Sequence, residues 1–283
     1  MNNAKAEYLS VDQLRPFEGQ PFHVKDDEEM DRLVWSILTQ GLLTPLVVRP
    51  LENNEYEVIS GHRRLHACKK AGIEQVPALV YPMSRDEAAV ALVDSNLHRE
   101  KLLPSEKAWA YKLKLEALKQ QGQRADLTSS QVGTRSDELL AQQTGESRNQ
   151  VQRYIRLTNL IPGIMQMVDE GRIALTPAVE LSYLQEEEQA DLLETMESED
   201  CTPSFAQAKQ LKLMSQQGEL NMDKIFNLMR AQKGNQKEKL SFFREDICGY
   251  FPPHYTAAKM QSVMIELLQN YQRSWKRRDR NER

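Results

Sequence analysis

YEVISGHRRLHACKKAGIEQVPALV, residues 56 to 80, reads as a strand, a glycine, two adjacent arginines, a helix and a second apolar strand. YEVIS alternates as a half-buried strand does. The helix runs from about Gly61 to Ala71, Gly72 ends it, and VPALVY returns as a strand. Gly61, His62, Arg63 and Arg64 stand where strand turns into helix. A helix N-terminus offers free backbone N–H groups and the positive end of the dipole, the pair of features that binds phosphate. Gly61 lets the backbone come close, and Arg63 and Arg64 can grip phosphate oxygens with bidentate forks. About thirty residues on, Asn96 and Arg99 of SNLHRE can close the far side of an anion pocket. The plainer alternative pairs one arginine with Glu55, Glu57 or Asp94 and leaves the other solvated. His62 and His66 are four apart, but no third ligand completes a metal set, so that pair reads as surface or packing.

Working outward, residues 7 to 24 mix short apolar runs with Pro16 and Pro21, which gives strand and turn. DDEEMDRLVWSILTQG (26–41) places Met30, Leu33, Val34 and Ile37 on one helical face, with acidic residues at its start and Gly41 at its end. LLTPLVVRP (42–50) is a strand between prolines, ENN (52–54) a turn, and SRDEAAVALVDSNLHRE (84–100) a helix. Strand and helix alternate throughout, so residues 1–100 form a compact α/β domain.

After Pro104 the pattern is helical. SEKAWAYKLKLEALKQQ (105–121) carries Ser105 as its N-cap and Trp109, Leu113 and Leu118 at helical spacing. GQRADLTSSQVGTRS (122–136) reads as a polar, mobile connector. DELLAQQTGESRNQVQRYIRL (137–157) then carries the pattern of a helix-turn-helix. Leu140 and Ala141 face inward on a first helix, and Gly145 supplies the left-handed residue of the turn. Ser147 caps a second helix, whose Val151 and Tyr154 face inward. Arg148, Asn149, Gln152 and Arg153 lie between those buried positions. Arginine suits guanine, and asparagine or glutamine suits adenine, at the end of the helix that enters the major groove. An ordinary helical hairpin with a solvated face is the competing reading. MVDEGRIALTPAVELSYL (167–184) forms the core of two helices behind this pair, and short helices continue to about residue 216, within a second domain spanning 101–231.

QKGNQKEKL (232–240) is a second linker, and 232–283 forms a short helical module. Met260, Val263, Met264, Leu267 and Leu268 make an apolar stripe that suits dimerisation or intramolecular docking alike. The tail YQRSWKRRDRNER (271–283) has six basic and two acidic residues, leaving −8 for the rest of a chain whose net charge is −4. Lys276, Arg277 and Arg278 beside Trp275 suit nonspecific phosphate contact, or simply a solvated helix end.

With 283 residues, 28% charged and 7% aromatic, the chain is large enough for two domains and has an ordinary globular composition. No run of about 18 apolar residues and no apolar leader is present, which points to the cytoplasm and away from the membrane. Cys68, Cys201 and Cys248 are too far apart for a disulfide framework or a CxxC metal site.

The blocks LLTPLVVRP, YEVISGHRRLHACKKAGIEQVPALV, SNLHREKLLPSEKAWAY and the helix-turn-helix occur in one order over about residues 8 to 190. In that order and spacing they resemble the ParB family of DNA-partition proteins. The FP-x-x-YT segment (251–256) and the polar stretch before the helix-turn-helix look like the branch carried by integrative and conjugative elements. The resemblance implies an α+β protein: a ParB/sulfiredoxin-like α/β domain, an all-α helix-turn-helix domain and a helical C-terminal module. It implies a nucleoid-associated homodimer on a palindromic site in double-stranded DNA, with a ParA-type ATPase as partner. It further implies CTP with magnesium, a clamp that closes and slides, and slow hydrolysis. The family's GERR reads Gly61-His62-Arg63-Arg64 here, and its ENxxR reads Ser95-Asn96-Leu97-His98-Arg99. Thr44 to Leu46 match the segment whose backbone reads cytosine, and Ser95 and Asn96 match the metal end of the pocket. Two glutamates are replaced, by His62 and Ser95, and the family's QPR turn is Gln20-Pro21-Phe22. Serine gives magnesium a hydroxyl in place of a charged oxygen, which weakens the case for hydrolysis.

Two other functions fit parts of the sequence. A transcriptional regulator of a mobile element would use the helix-turn-helix with no nucleotide. A sulfiredoxin-fold enzyme would need a reactive cysteine at the phosphate loop, whereas Cys68 lies seven residues beyond Gly61 in apolar surroundings.

Overall fold

A computed structural model describes residues 4–97, 99, 102–124, 129–230, 247, 249–252 and 254–281, with backbone alone for 122–124, 129–135, 257–258 and 273–281. Tertiary contacts divide the chain into two units, Met1–Ala231 and Gln232–Arg283. The expected boundary near residue 100 lies inside the first.

Five strands open the first unit: β1 (Lys5–Ser10), β2 (Leu14–Pro16), β3 (Leu46–Pro50), β4 (Tyr56–Ser60) and β5 (Gln75–Val80). They form a mixed sheet in the order β1-β5-β3-β4-β2. β1 runs antiparallel to β5 and β3 antiparallel to β4, while the β3–β5 and β2–β4 pairs are parallel. Successive side chains on a strand take opposite faces. Leu46, Val48, Val58, Val76 and Ala78 therefore share one face, packed on Met30 and Ile37 of α1 (Glu28–Gln40) and Leu65 and Cys68 of α2 (His62–Lys70). Ile59 and Val47 take the other face, against Ala88, Ala89, Leu92 and Val93 of α3 (Arg85–Leu97). Asp27 caps α1 by accepting from the Met30 N–H at 2.9 Å. The strand expected over 42–50 begins only at Leu46, because residues 42–45 pair with no strand.

Eight further helices follow among the described residues of this unit. α4 (Pro104–Arg124) and α5 (Ser129–Thr144) lead to α6 (Arg148–Arg156), α7 (Pro162–Asp169) and α8 (Leu175–Leu181). α9 (Glu186–Ser198), α10 (Phe205–Gln216) and α11 (Met222–Arg230) complete the unit around a core that includes Leu157, Ile164, Leu181, Leu192 and Leu211. α4 packs on α3, α5, α6 and α7.

Three expectations are corrected here. Pro104 is the first residue of α4, so Ser105 lies within the first turn and is not the cap. Its N–H and Oγ both donate to the Asp169 carboxylate of α7, at 2.9 and 2.5 Å. Trp109 is 45% exposed and lies under the Lys112 ammonium at 5.0 Å, while Ala108, Tyr111, Lys114 and Leu115 face inward. The stretch 122–136 is no loop at either end: α4 continues through Arg124 and α5 starts at Ser129.

The second unit contains α12 (Ala257–Asn281). Within it Met260 is buried, Val263 and Met264 are half-buried, and Leu267, Leu268 and Tyr271 are exposed. Residues 232–240 and Cys248 lie outside the described residues, as do the side chains of Trp275, Lys276, Arg277 and Arg278.

Candidate functional site

The reading helix is α6. Gly145 adopts φ 69°, with nothing near the place of a Cβ, so the turn needs glycine for its conformation and not for space. Ser147 Oγ accepts from the Gln150 N–H at 3.2 Å and starts the helix. Val151 and Leu140 are buried with Leu115 and Tyr111 of α4, and the Tyr154 ring meets Tyr111 edge-on at 5.8 Å. Burial pushes the Tyr111 hydroxyl above its ordinary pKa, and the nearby Glu146 adds to the shift. The apolar positions anchor α6 so that Arg148, Asn149 and Gln152 stay exposed.

One partner of these side chains was not anticipated. Asp137 of α5 is buried, and its Oδ2 accepts from Gln152 Nε2 at 2.9 Å and lies 3.5 Å from Arg148 Nε. No local pattern marks it, because its partners are 11 and 15 residues away across the turn. The available signal was its spacing: Asp137 is three residues before Leu140, on the inner face of the same helix. Arg153 turns aside, donating to Thr176 Oγ1 at 2.7 Å and to Gln150 Oε1 at 3.3 Å.

The GHRR corner lies at the start of α2. Gly61 has φ 105°, and a Cβ there would sit 2.6 Å from Leu46 Cδ2 and 3.1 Å from Arg64 Nη2. Neither arginine takes the acidic partners considered from sequence. Arg64 Nη1 donates to the carbonyls of Thr44 and Pro45 at 2.6 and 2.8 Å. Arg63 Nη2 lies 3.3 Å from Glu29 and 3.7 Å from Asp27. Glu55 pairs with Arg15, Glu57 with Arg49, and Asp94 with Lys114. The Arg64 bonds tie α2 to the segment before β3, so Thr44 and the corner form one piece of structure.

His62 is largely enclosed, and desolvation lowers its pKa from 6.5 to about 4 against the opposing bond to the Val58 backbone. Its imidazole is therefore neutral at pH 7. Its Nε2 and the Gln20 Oε1 are buried without hydrogen-bond partners, and both residues line a cavity of about 200 Å³ with Leu65, His66 and Lys69. His66, on the same cavity, bonds Asp26 through Nε2 at 2.9 Å.

On the other side of the sheet, Asn96 is buried and donates to the Leu92 carbonyl and to Ser95 Oγ, at 2.8 and 3.2 Å. Ser95 Oγ itself donates to that carbonyl at 2.9 Å. The Arg99 guanidinium lies over the Phe22 ring at 5.6 Å, which gives Phe22 a contact of its own with the second motif. His98 lies outside the described residues. Cys68 is fully buried and its thiol pKa is raised by burial, so it is not an activated nucleophile.

A mixed α/β domain joined to a helix-turn-helix defines a class of DNA-binding protein. Comparison with known proteins narrows it: residues 1–97 match the ParB N-terminal domain and residues 100–209 the ParB HTH domain. The chain belongs to the ParB family. It is 34% identical over 191 residues to a nucleoid occlusion protein of Listeria innocua, covering 67% of this chain and 62% of that one. It is 33% identical over 192 residues to a probable chromosome-partitioning protein ParB of Pseudomonas putida, covering 68% and 61%. Stage 0 sporulation protein J of Bacillus subtilis is 34% identical over 175 residues, covering 62% and 56%. The chain thus spans less than two thirds of the length of each of these relatives. Among solved structures, a truncated Caulobacter crescentus ParB complexed to the centromeric parS site is 22% identical, with TM-score 0.42, covering 80% of this chain and 100% of that one.

Proposed function

We propose that the protein is a homodimeric, sequence-specific DNA-binding protein of the partition type, whose two copies of α6 read a palindromic site in double-stranded DNA. The observation that carries this reading is α6 itself. A left-handed glycine, a serine cap and a buried apolar seam hold Arg148, Asn149 and Gln152 outward at the end of a helix that suits a major groove. Family membership supports it, and relatives described as chromosome-partitioning and nucleoid occlusion proteins agree in kind. A two-fold dimer on a palindrome needs a self-association face, which the apolar stripe of α12 supplies. Lys276, Arg277 and Arg278 add sequence-independent phosphate contact. Such a protein works at the nucleoid in the cytoplasm, and a ParA-type ATPase is the partner class that this reading brings with it.

A nucleotide fits the GHRR corner in part. The first backbone N–H groups of α2 and the Arg63 fork can meet phosphate, and CTP is the nucleotide the family reading brings here. The cavity of about 200 Å³ beside His62 opens to solvent and is lined by neither Arg63 nor Arg64, so it adjoins the phosphate end of the corner and does not enclose it. The metal end does not fit. The Ser95 oxygen carries no charge and already accepts from Asn96, Asp94 is held by Lys114, and among the described residues no group of three or more His, Cys, Asp or Glu side chains is placed to hold a metal ion. Magnesium would arrive on the nucleotide's own phosphates, and hydrolysis is not supported. These same features favour a second reading, a regulator that binds its site with no nucleotide switch.

Equilibrium binding of labelled CTP, against ATP and GTP, with and without a duplex carrying the selected site, separates the two. CTP-selective binding enhanced by the duplex supports the switched form, with a footprint that spreads beyond the site. Absence of nucleotide binding, with protection of the site alone, leaves the regulator. Failure to prefer any DNA sequence removes both.

A further inference from the structure

Two of the four base-reading candidates on α6 meet a single carboxylate, Gln152 through a hydrogen bond and Arg148 as an ion pair. Arg148 and Gln152 are four residues apart, on one face of the helix, and both are exposed. Asp137 reaches them from α5, with its side chain 11% exposed against 49% for Arg148. Its Oδ2 lies 2.9 Å from Gln152 Nε2 and 3.5 Å from Arg148 Nε.

The chemistry of these contacts fixes what the two side chains can offer. An ionised carboxylate only accepts, so the Gln152 amide must turn its nitrogen toward Asp137. One amide N–H is spent there, and Oε1 with the second N–H remains, the pair that complements N6 and N7 of adenine. For Arg148 the contact uses Nε. Both Nη groups stay free for an end-on, bidentate contact to O6 and N7 of guanine. A long side chain loses rotamer freedom on binding, and a partner that holds it beforehand removes part of that cost. Arg153 has no such support from Asp137, being drawn to Thr176 and Gln150.

We propose that Asp137 is a positioning residue that determines base specificity, its buried carboxylate aiming Arg148 and Gln152 at base edges. This rests on the DNA-reading function proposed above. Asp137 itself touches no base in this account and acts through its two partners. Because both partners are solvent-exposed, its removal strands no buried charge and leaves the helix pair folded.

The test is selection from a duplex library with a randomised core, using the full-length chain as wild type, Asp137→Ala and Asp137→Asn. Thermal melting and affinity for one unselected duplex are the controls. Wild type enriches a site, and Asp137→Ala loses roughly 5- to 100-fold of discrimination at the base pairs read by Arg148 and Gln152, the range set by one to two good bidentate contacts. Its melting temperature and its affinity for the unselected duplex stay near wild type. Asp137→Asn keeps an acceptor for Gln152 but not the charge opposite Arg148, so preference falls mainly at the guanine. If Asp137→Ala enriches the same site with the same preference at every base pair, the proposal is overturned while DNA reading stands. Enrichment of no sequence by the wild type overturns DNA reading itself, and this proposal with it.

Discussion

Gly61 combines two constraints that no other residue meets, a φ of 105° and a Cβ position 2.6 Å from a core methyl of Leu46. Gly61→Ala is expected to cost about 2–4 kcal/mol, from the left-handed backbone and the overpacking together. Urea denaturation measures it, and a loss below 1 kcal/mol would show that β3 yields easily. His62 gives a pH signature. Its folded pKa of about 4 lies below its unfolded value of 6.5, so the unfolded state binds the proton first as pH falls. Stability tied to the neutral imidazole is complete above about pH 6.5, falls between 6.5 and 4, and is fully lost below that window. The loss amounts to about 3 kcal/mol. Stability curves of wild type and His62→Gln should converge toward acid by that amount, and parallel curves would show that the ring is solvated. At this scale the sequence was half legible. A glycine between strand and helix announces a tight turn. That His62 turns inward while Arg64 bends back to two carbonyls depends on residues 42–46 and on β4, which the local letters do not contain.

Elements were legible wherever one face is buried and the other is wet. α1, α2 and α6 follow that rule, and Ser147 caps the helix that its position predicts. α4 breaks the rule because it is packed on several sides. Its Lys114 is wholly buried and paired with the half-exposed Asp94 of α3, while Trp109 faces out and Tyr111 faces in. The spacing of Trp109, Leu113 and Leu118 therefore marks the helix without marking one buried face, Leu113 being half-buried and Trp109 exposed. The stretch 122–136 fails for a related reason. Its polar composition reads as a loop, yet Ser136 is buried, as is the next residue Asp137, and the packing of α5 on α4 outweighs weak local propensity. Asp94→Ala should cost about 3 kcal/mol by stranding a buried ammonium, whereas Lys114→Met should be close to neutral. Equal losses in the two variants would mean the lysine contributes through packing alone. Ser147→Ala should lower stability by about 1 kcal/mol through the lost cap. Circular dichroism melts follow all three variants.

Over the whole molecule, the apolar stripe of α12 bears on assembly. Paired changes Leu267→Lys and Leu268→Lys, at two exposed positions, should convert a dimer to a monomer by light scattering and weaken palindrome binding by at least tenfold. A mass unchanged by the pair would place the two-fold contact elsewhere. The composition shift near residue 100 marks the change from mixed strand-and-helix to all-helical structure, and α4 packs on both sides of it. Ala110 and Ala117 pack with the α3 side, and Tyr111 and Leu115 with the reading helices. The consequence concerns how the protein can be divided. A scanning calorimeter should record a single endotherm for residues 4–230, and neither half should hold its shape after a cut between α3 and α4. Each fragment would lay bare the surface that α4 covers for it, and would aggregate. A gene encoding this chain cannot donate its reading head to another protein without carrying α4 along.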